Sequence, residues 1–448
     1  MAAIAEGEAG AAANIFSTAA LPKVARGKGS YVWDTNGKQY VDGSGGPSVY
    51  CLGHGNEDVN QAIKDQLDQI ASHHRFTFSS DALETLQAMV AKQCGGGLKE
   101  MVFVTGGSEA VESCLKIALQ YHAAMGQKTR RRFIARQRSW HGNTLGALSI
   151  SGFAQRREPF EGALMEASFV SPANVYRPPA GIAPQDIAEY CAAELEREIL
   201  RQGPENVAAF IFEPVVGAAG GAVPAPEGYA KAMRAICDKY GVLMIADEVM
   251  CGAGRTGYWR ALEEDGVEPD IMSVAKGLGA GYVPLGVTIY HERLKGPIVE
   301  AYGNLLTAHT FTGHTLACAA GVAVQKVVER DGLLERVRTK GPQFADALRR
   351  EIGQHAHIGD IRGRGYFIGV EFVADQDTKE PFDADQMIFA KIKQRGLENG
   401  LICYPVGGNV DGKRGDIAIL SPAYNATDAE LDEIVDKFAQ TCRDVLPR

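Results

Sequence analysis

The stretch Ser273-Val-Ala-Lys-Gly-Leu-Gly-Ala-Gly281 ends a short apolar segment with a lysine and follows it with a glycine-rich turn. Upstream, a second apolar segment, Val242-Leu-Met-Ile-Ala-Asp247, ends on an acid. Short apolar runs of this kind are typical of strands in a parallel sheet that is buried on both faces. Because open α/β sheets bind ligands beyond the carboxyl ends of their strands, Lys276 and Asp247 are candidate site residues.

A lysine and an aspartate at two strand ends indicate a pyridoxal phosphate (PLP) site. Lys276 would carry the cofactor as a Schiff base, and Asp247 would pair with the pyridinium nitrogen, so that the ring accepts electrons from the substrate. The simpler interpretation of Asp247 is an acid that caps the next turn. Its pairing with Lys276 favours the catalytic interpretation.

The composition is that of an ordinary globular protein, with 45% hydrophobic and 23% charged residues among 448. A chain of this length is expected to form two or three lobes. The net charge of -9 argues against a nucleic-acid partner, and we interpret the basic run Lys128–Arg132 as a solvated loop. No run approaches the roughly 20 apolar residues of a membrane span.

The nine cysteines are scattered and none forms a C-x-x-C pair, which favours reduced thiols and a cytoplasmic location. Residues Met1–Ala13 lack the basic segment of a signal peptide and are expected to fray. No metal site is predicted, because the pairs His73-His74 and His355/His357 do not have the spacing of metal ligands.

Between about residues 80 and 320, short apolar segments alternate with amphipathic helices. This alternation predicts an α/β domain whose mostly parallel sheet is covered by helices on both faces. The predicted strands are Met101–Val104, Arg132–Ala135, Val207–Phe212, Val242–Ala246, Ile271–Val274 and Val287–Tyr290, and the predicted helices include Ala110–Ala124 and Tyr229–Tyr240.

The two ends of the chain lack this alternation of short apolar segments and helices. Residues 30–42 predict a hairpin with Asn36-Gly37 as its turn, and a long charged helix, Ala317–Leu348, is expected to lead into a smaller α+β domain. We predict an N-terminal segment (1–50) that joins the small lobe, a large cofactor-binding domain (51–325) and a C-terminal small domain (326–448).

The run Thr105-Gly-Gly-Ser-Glu-Ala110 joins a predicted strand to a predicted helix. Glycines let the backbone approach an anion, and a helix N-terminus offers free N–H groups and a positive dipole. Ser108 adds a hydroxyl, so the run is a candidate phosphate cradle. The alternative, in which Ser108 only caps the helix, stays open at this point.

Trp140 and His141 follow a predicted strand. An aromatic in a strand-end loop is suited to stacking on a planar cofactor ring, although a lone tryptophan is more often a core residue. For His141 a hydrogen-bonded structural role is favoured over titration. Gly252–Gly257 matches the dinucleotide pattern G-x-G-x-x-G, but no long helix opens on it, so we interpret its glycines as conformational.

In combination these motifs resemble those of the class III aminotransferases, which are PLP enzymes. The resemblance extends from about Arg26 to the C-terminus and rests on motifs that occur in the same order: Thr105-Gly-Gly-Ser-Glu-Ala, Ser139-Trp-His-Gly, Glu213-Pro-Val, Asp247-Glu-Val-Met-Cys-Gly-Ala-Gly-Arg-Thr-Gly, Ala275-Lys-Gly-Leu and Thr310-Phe-Thr-Gly-His. It implies PLP fold type I, the aspartate aminotransferase-like architecture. It also implies a homodimer, or a dimer of dimers, with active sites at the subunit interface.

The resemblance assigns further residues to the cofactor. Gly107 and Ser108 would hold its phosphate, while Trp140 and Val249 would pack on opposite faces of its ring. Thr310 would reach the phosphate in the other subunit's site, which would make each site depend on dimerisation.

His141 and Glu213 are expected to line the same site. Two positions depart from the family pattern. Thr315 replaces the usual proline after Gly-His, which is expected to change only loop stiffness. Met250 stands where some members carry a glutamine that bonds the ring hydroxyl, so that contact must come from elsewhere.

The form Asp247-Glu-Val-x-Cys-Gly is similar to that of the pyruvate-dependent ω-transaminases. Members that use glutamate often carry a second acid where this chain has Ala218. We therefore expect an ω-amino acid or amine donor and a keto acid acceptor, pyruvate, with Lys276 moving the proton and pyridoxamine phosphate (PMP) linking the two half-reactions. The alternatives are a diaminopelargonate-type or other class III aminotransferase, or a PLP aminomutase or decarboxylase of the same fold. A non-catalytic binding protein is disfavoured by the intact Lys276 and Asp247.

Three residues are candidates for substrate binding. Arg414 and Arg75, the latter from the neighbouring subunit, are candidates for binding the acceptor carboxylate, and the alternative for each is a solvated loop arginine. Ser48 stands where several amine transaminases place a bulky aromatic, which predicts a roomier pocket.

Overall fold

The computed structural model describes residues 21–447, in which two lobes are each built on β-sheet. The strands are β1 (Val24–Lys28), β2 (Tyr31–Asp34), β3 (Gln39–Asp42), β4 (Leu98–Val104), β5 (Arg132–Arg136), β6 (Ala167–Val170), β7 (Val207–Phe212), β8 (Val215–Val216), β9 (Val223–Pro224), β10 (Leu243–Asp247), β11 (Ile271–Val274), β12 (Gly286–His291), β13 (Ile358–Arg364), β14 (Phe367–Phe372), β15 (Leu401–Ile402), β16 (Tyr404–Gly407) and β17 (Asp416–Leu420). The α-helices are α1 (Gly45–Ser48), α2 (Glu57–Gln69), α3 (Asp81–Cys94), α4 (Gly107–Ala124), α5 (Leu145–Ser149), α6 (Ala154–Arg157), α7 (Ile187–Gln202), α8 (Tyr229–Tyr240), α9 (Lys295–Tyr302), α10 (Thr315–Arg330), α11 (Leu333–Ile352), α12 (Ile388–Glu398) and α13 (Asp428–Val445).

Seven strands form the central sheet, in the order β4-β12-β11-β10-β7-β5-β6. The five strands from β11 to β6 run parallel, and β12 is antiparallel to both of its neighbours. Leu195 and Met233, from α7 and α8, pack with one face, whereas Leu115 and Ile298, from α4 and α9, pack with the other. The predicted α/β fold, with a mostly parallel sheet covered on both faces, is confirmed.

Burial explains why the strands could be located from the sequence. Every residue of β7 is buried, so the strand is apolar throughout and lacks the alternation of a half-exposed strand. The predicted Val207–Phe212 and Ile271–Val274 have the observed bounds, and the other four strands shift by up to three residues. The largest shift is in β4, which begins at Leu98 because Leu98 and Glu100 still pair with β12.

The small lobe contains an antiparallel sheet in the order β13-β14-β17-β16. The helices α11 and α12 pack against this sheet, and α13 packs against those two helices. The N-terminal hairpin of β2 and β3 forms as predicted, and Gly37 at its turn donates to the Asp34 carbonyl. β3 then pairs in parallel with β15, which places Val41 opposite Leu401. The predicted boundaries of the three segments stay predictions.

The predicted single helix Ala317–Leu348 is wrong. The structure has two helices there, α10 and α11, separated at Asp331-Gly332. Gly332 adopts a left-handed conformation with φ of 61°, which stops α10 and redirects the chain. Charged residues on both sides of the break continue the helical pattern, so only this one glycine marks it in the sequence.

None of the described helices, within residues 21–447, is both long and apolar enough to cross a membrane. The nine cysteines are free thiols, and all but Cys403 are fully buried. The same part of the chain contains no group of three or more His, Cys, Asp or Glu side chains arranged to hold a metal ion.

Candidate active site

A cavity of about 330 Å³ opens at the carboxyl end of the central sheet. It lies beyond β4, β10 and β11, and the loops after β5 and β7 complete its wall. Eight of the residues predicted to bind the cofactor line it: Gly107, Ser108, Trp140, His141, Glu213, Asp247, Val249 and Lys276. The fold therefore brings together strand ends that are far apart in the sequence.

Asp247, the last residue of β10, is held by three hydrogen bonds. His141 Nδ1 lies 2.7 Å from its Oδ2 atom, and the Ser273 hydroxyl and the Val249 backbone N–H donate to its Oδ1 atom at 3.1 and 3.0 Å. The carboxylate is buried apart from its opening to the cavity. His141 therefore forms a hydrogen bond with Asp247, which is the kind of structural role that the sequence favoured.

Lys276 follows β11 and extends into the cavity. Burial lowers the pKa of its amine to about 8, while the nearby negative charges of Asp247 and Glu213 limit that decrease. The backbone of Lys276 has a positive φ of 41°. A positive φ in a residue other than glycine is strained, and such strain is concentrated at functional sites.

Glu213, directly after β7, fixes the loop that carries Trp140. Its two carboxyl oxygens accept hydrogen bonds from the backbone N–H groups of Trp140 (2.9 Å) and Gly217 (2.8 Å). Burial raises the pKa of Glu213, and the charge of Asp247 raises it further. Glu213 and Asp247 therefore lie close enough together for the charge of one to act on the other.

The candidate phosphate cradle is the N-terminus of α4. The N-cap residue is Gly106, and no side chain caps the helix, so its first N–H groups are free to bind an anion. Ser108 is therefore not the N-cap; its hydroxyl accepts a hydrogen bond from the Asn143 backbone N–H at 3.0 Å. A side chain at Gly107 would come within 2.8 Å of Val249, which shows how closely the cradle and the ring-packing residue meet.

These features fit PLP. The uncapped N-terminus of α4, an 18-residue helix, suits the phosphate, and Asp247 suits the ring nitrogen. The amine of Lys276 faces the same cavity and has a pKa low enough to be partly neutral near pH 7. Trp140 and Val249 line the space between these groups, as ring-packing residues must.

The other predicted residues lie outside the lining of this cavity. Ser48 is buried and donates a hydrogen bond to the Ser421 hydroxyl (2.9 Å), and its neighbour Val49 lines the cavity instead. Thr310 is exposed on the surface of the chain. Arg75 is also exposed and lies beside Gly313.

Arg414 is turned towards acids of its own lobe. Its guanidinium forms ion pairs with Asp411 at 2.8 Å and with Glu380 at 2.6 Å. Both pairs are solvent-exposed, and exposed pairs of this kind contribute about 0–1 kcal/mol.

Sequence reasoning missed Ser273 and Arg255. Ser273 pairs with Asp247 in the register of β11 on β10, and the only signal was a polar residue inside an apolar strand. Arg255 lies within the G-x-G-x-x-G match, is fully buried, and donates to the Pro422 carbonyl at 2.6 Å. The glycines there are conformational as predicted, since Gly254 and Gly257 have φ of 101° and 91°.

Comparisons with known proteins agree with this geometry. Residues 15–442 match the family model described as Aminotransferase class-III. An uncharacterised aminotransferase of Schizosaccharomyces pombe is 40% identical over 422 residues, which are 94% of this chain and 92% of the relative. An adenosylmethionine-8-amino-7-oxononanoate aminotransferase of Nitratidesulfovibrio vulgaris is 33% identical, over 91% of this chain and 74% of the relative.

A solved structure of a Pseudomonas jessenii ω-transaminase in complex with PMP superposes with a TM-score of 0.89. The two proteins are 30% identical, and the match covers 95% of this chain and 93% of the other. The predicted fold type, PLP fold type I, and the predicted cofactor, PLP, are both confirmed by these relationships.

We predict that the cofactor-free protein captures PLP covalently with a pH midpoint at about 8. Only the neutral amine attacks the PLP aldehyde, so the rate should rise with pH, level off above the midpoint, and fall as pH drops below it. Stopped-flow absorbance measures this rate. Asp247→Asn should lower the midpoint, because it removes a charge that stabilises the protonated amine.

Lys276→Ala should abolish the covalent capture. Asp432→Asn, a change of the same type on the exposed surface of α13, should leave the midpoint unchanged. A midpoint near 10.5, the ordinary value of a lysine, would contradict the proposed environment of Lys276.

Proposed function

We propose, since the chain belongs to the class III aminotransferase family, that it moves an amino group from an ω-amino acid or amine to a keto acid, with pyruvate as the acceptor. The observation that carries this proposal is the single cavity that joins the Lys276 amine, the Asp247 carboxylate and the uncapped N-terminus of α4. The similarity of the whole chain to a solved ω-transaminase supports the choice of an amine or ω-amino acid as the donor.

The chain's own residues perform the proton transfer and the positioning. PLP supplies an electron sink for the carbon that loses a proton. The Lys276 amine, partly neutral near pH 7, accepts the proton from the donor carbon and later returns it. Asp247, which is held by His141 and Ser273, would pair with the ring nitrogen, and the first turn of α4 would hold the phosphate.

The surroundings of Ala218 support a donor other than glutamate. An acid there would be available to tether a carboxylate-binding arginine, and the chain has a buried methyl group instead. The adjacent Gly217 has no spare space, since a side chain on it would meet the Met250 sulfur at 2.2 Å. The chain thus has no acid at position 218 to hold such an arginine, which favours an amine over an α-amino dicarboxylate as the donor.

We also propose that the protein is a homodimer, or a dimer of dimers, with shared active sites. Thr310 does not line the cavity of its own chain, and the adjacent segments that contain Arg75 and Gly313 carry exposed aromatics. Phe76 and Phe311 are 78% and 55% exposed. Large exposed apolar side chains at one place are typical of an interaction surface. A cytoplasmic location is proposed with it, because free buried thiols are typical of a reducing compartment.

The diaminopelargonate-type activity remains the second candidate, because an adenosylmethionine-8-amino-7-oxononanoate aminotransferase is 33% identical to this chain. A PLP aminomutase or decarboxylase would use the same lysine and aspartate. These activities differ in the donor that they accept and in whether carbon dioxide is released.

We predict that β-alanine or a simple amine, added to the PLP-bound enzyme without keto acid, removes the visible band of the bound cofactor as the PMP form appears. Pyruvate should then restore the band, and Lys276→Ala should show neither change. Absorbance spectra follow both steps. Conversion by S-adenosylmethionine but by neither of these donors would favour the diaminopelargonate-type activity. Release of carbon dioxide would favour a decarboxylase, and a band that no amine changes would contradict the proposal.

The acceptor carboxylate is expected to bind Arg414 or Arg75. Replacing the correct arginine with alanine should raise the KM for pyruvate about tenfold, because a charge-assisted hydrogen bond is lost. If Arg414 is correct, Asp411→Asn should lower this KM by weakening the ion pair that holds the arginine away. Steady-state kinetics with pyruvate as the varied substrate measures the effect. An unchanged KM in both alanine variants would exclude both assignments.

The shared site predicts complementation between two defective chains. Thr310→Val should weaken cofactor retention about tenfold, through loss of a hydrogen bond to the phosphate. A mixed dimer of Lys276→Ala and Thr310→Val, purified through two affinity tags, should contain one intact site. Its activity should exceed the average of the two parent variants. An activity equal to that average would show that each site uses residues of one chain only.

A further inference from the structure

Arg156, in the short helix α6, lies against the tryptophan of the active site. Its guanidinium carbon is 5.0 Å from the ring centroid of Trp140 and 5.5 Å from that of Phe153. These two rings meet edge to face, with centroids 6.2 Å apart. Trp140 lines the cavity that contains Lys276, so Arg156 stands just outside the same wall.

The charge of Arg156 has no acidic partner in the described part of the chain. It is absent from the ion pairs formed among residues 21–447, and its side chain is exposed. Two other arginines do have partners. Arg157 donates to three backbone carbonyls, including those of Leu148 at 2.9 Å and Ser149 at 2.6 Å. Arg414 forms ion pairs with two acids. Arg156 is thus a cation near the cavity whose guanidinium donates no hydrogen bond to any other residue within 21–447.

The position of Arg156 is at the junction of the two lobes. Tyr404 of β16, in the small lobe, is also near Arg156. Burial raises the pKa of Tyr404, and the positive charge of Arg156 partly offsets that increase. Val406 of the same strand packs in the cluster that contains Phe153 and contacts Trp140. Arg156 therefore lies near both Trp140, which lines the cavity, and Tyr404 of the small lobe.

We propose that Arg156 binds the distal carboxylate of an ω-amino acid donor. A guanidinium that stacks on an aromatic face leaves its N–H edge free, and that edge matches a carboxylate in a two-bond arrangement. Trp140 lines the cavity and Arg156 lies behind it, so Arg156 is farther from the reacting centre. Its charge is therefore suited to a carboxylate that is several carbons away from the reacting amine. It is not suited to the α-carboxylate of pyruvate, which adjoins the reacting carbon. This inference rests on the proposed function, whose substrate class it narrows.

The test compares matched donors of equal length, 6-aminohexanoate and hexylamine, with the PLP-bound enzyme. Arg156→Ala should lower kcat/KM for 6-aminohexanoate about tenfold to a hundredfold, mainly through KM, because a charged hydrogen bond used for binding is lost. Turnover of hexylamine should stay within about twofold, and Arg156→Lys should recover part of the loss. Arg197→Ala is the control for bulk charge, because it removes an exposed arginine of α7 that forms no ion pair with any described residue.

A binding measurement separates this inference from the proposed function. Hexanoate cannot react, and calorimetric titration of the PLP-bound protein should show about tenfold weaker binding in Arg156→Ala than in the wild type. If hexanoate binding weakens but no amine is converted, the arginine assignment stands and the transaminase proposal fails. Equal losses for 6-aminohexanoate and hexylamine, no loss for either, or no hexanoate binding by the wild type would each overturn the assignment.

Discussion

The candidate active site depends on the parallel pairing of β10 with β11. This register places Asp247 opposite Ser273, whose hydroxyl binds the aspartate, and the chain then reaches Lys276 three residues later. A slip of one residue would turn Asp247 to the other face of the sheet, since side chains alternate along a strand. The full burial of both strands makes such a slip costly, because each apolar side chain already fills a defined space.

A second constraint links the small lobe to the wall of the cavity. Glu371 is fully buried and forms an ion pair with Arg362; burial raises the pKa of Glu371, but the nearby guanidiniums outweigh it and lower that pKa. Arg362 also donates to the carbonyls of Gly220 and Gly221, in the loop whose Gly217 binds Glu213. Glu213 in turn holds the backbone of Trp140. Breaking a buried ion pair costs about 3–5 kcal/mol, so the position of the tryptophan is tied to the docking of the small lobe.

The sequence predicts the features that depend on local pattern and on strand ends. Lys276 and Asp247 stood out because charges rarely end apolar strands without a role. The break at Gly332 was missed, since a single glycine does not outweigh a helical pattern that continues on both sides. Ser273 and Arg156 were missed for another reason. Their importance comes from partners on other segments, Asp247 for the one and Trp140 for the other, and no local pattern encodes such contacts.

The arginines around the site differ in what an anion must displace to reach them. Arg414 must leave Asp411 and Glu380, but both pairs are exposed and worth about 0–1 kcal/mol each, so one well-placed carboxylate can compete with them. Arg156 needs no such exchange with the residues that the structure describes, because its guanidinium lies over Trp140 and forms no ion pair among them. A neutral amine therefore meets no fixed charge beyond Lys276 and the buried acids. Under the proposed assignment, a donor with a distal carboxylate would find its partner in Arg156, beside Trp140. If the proposed donors are correct, this arrangement would serve both kinds without an unpaired guanidinium inside the cavity, where desolvation would make it costly.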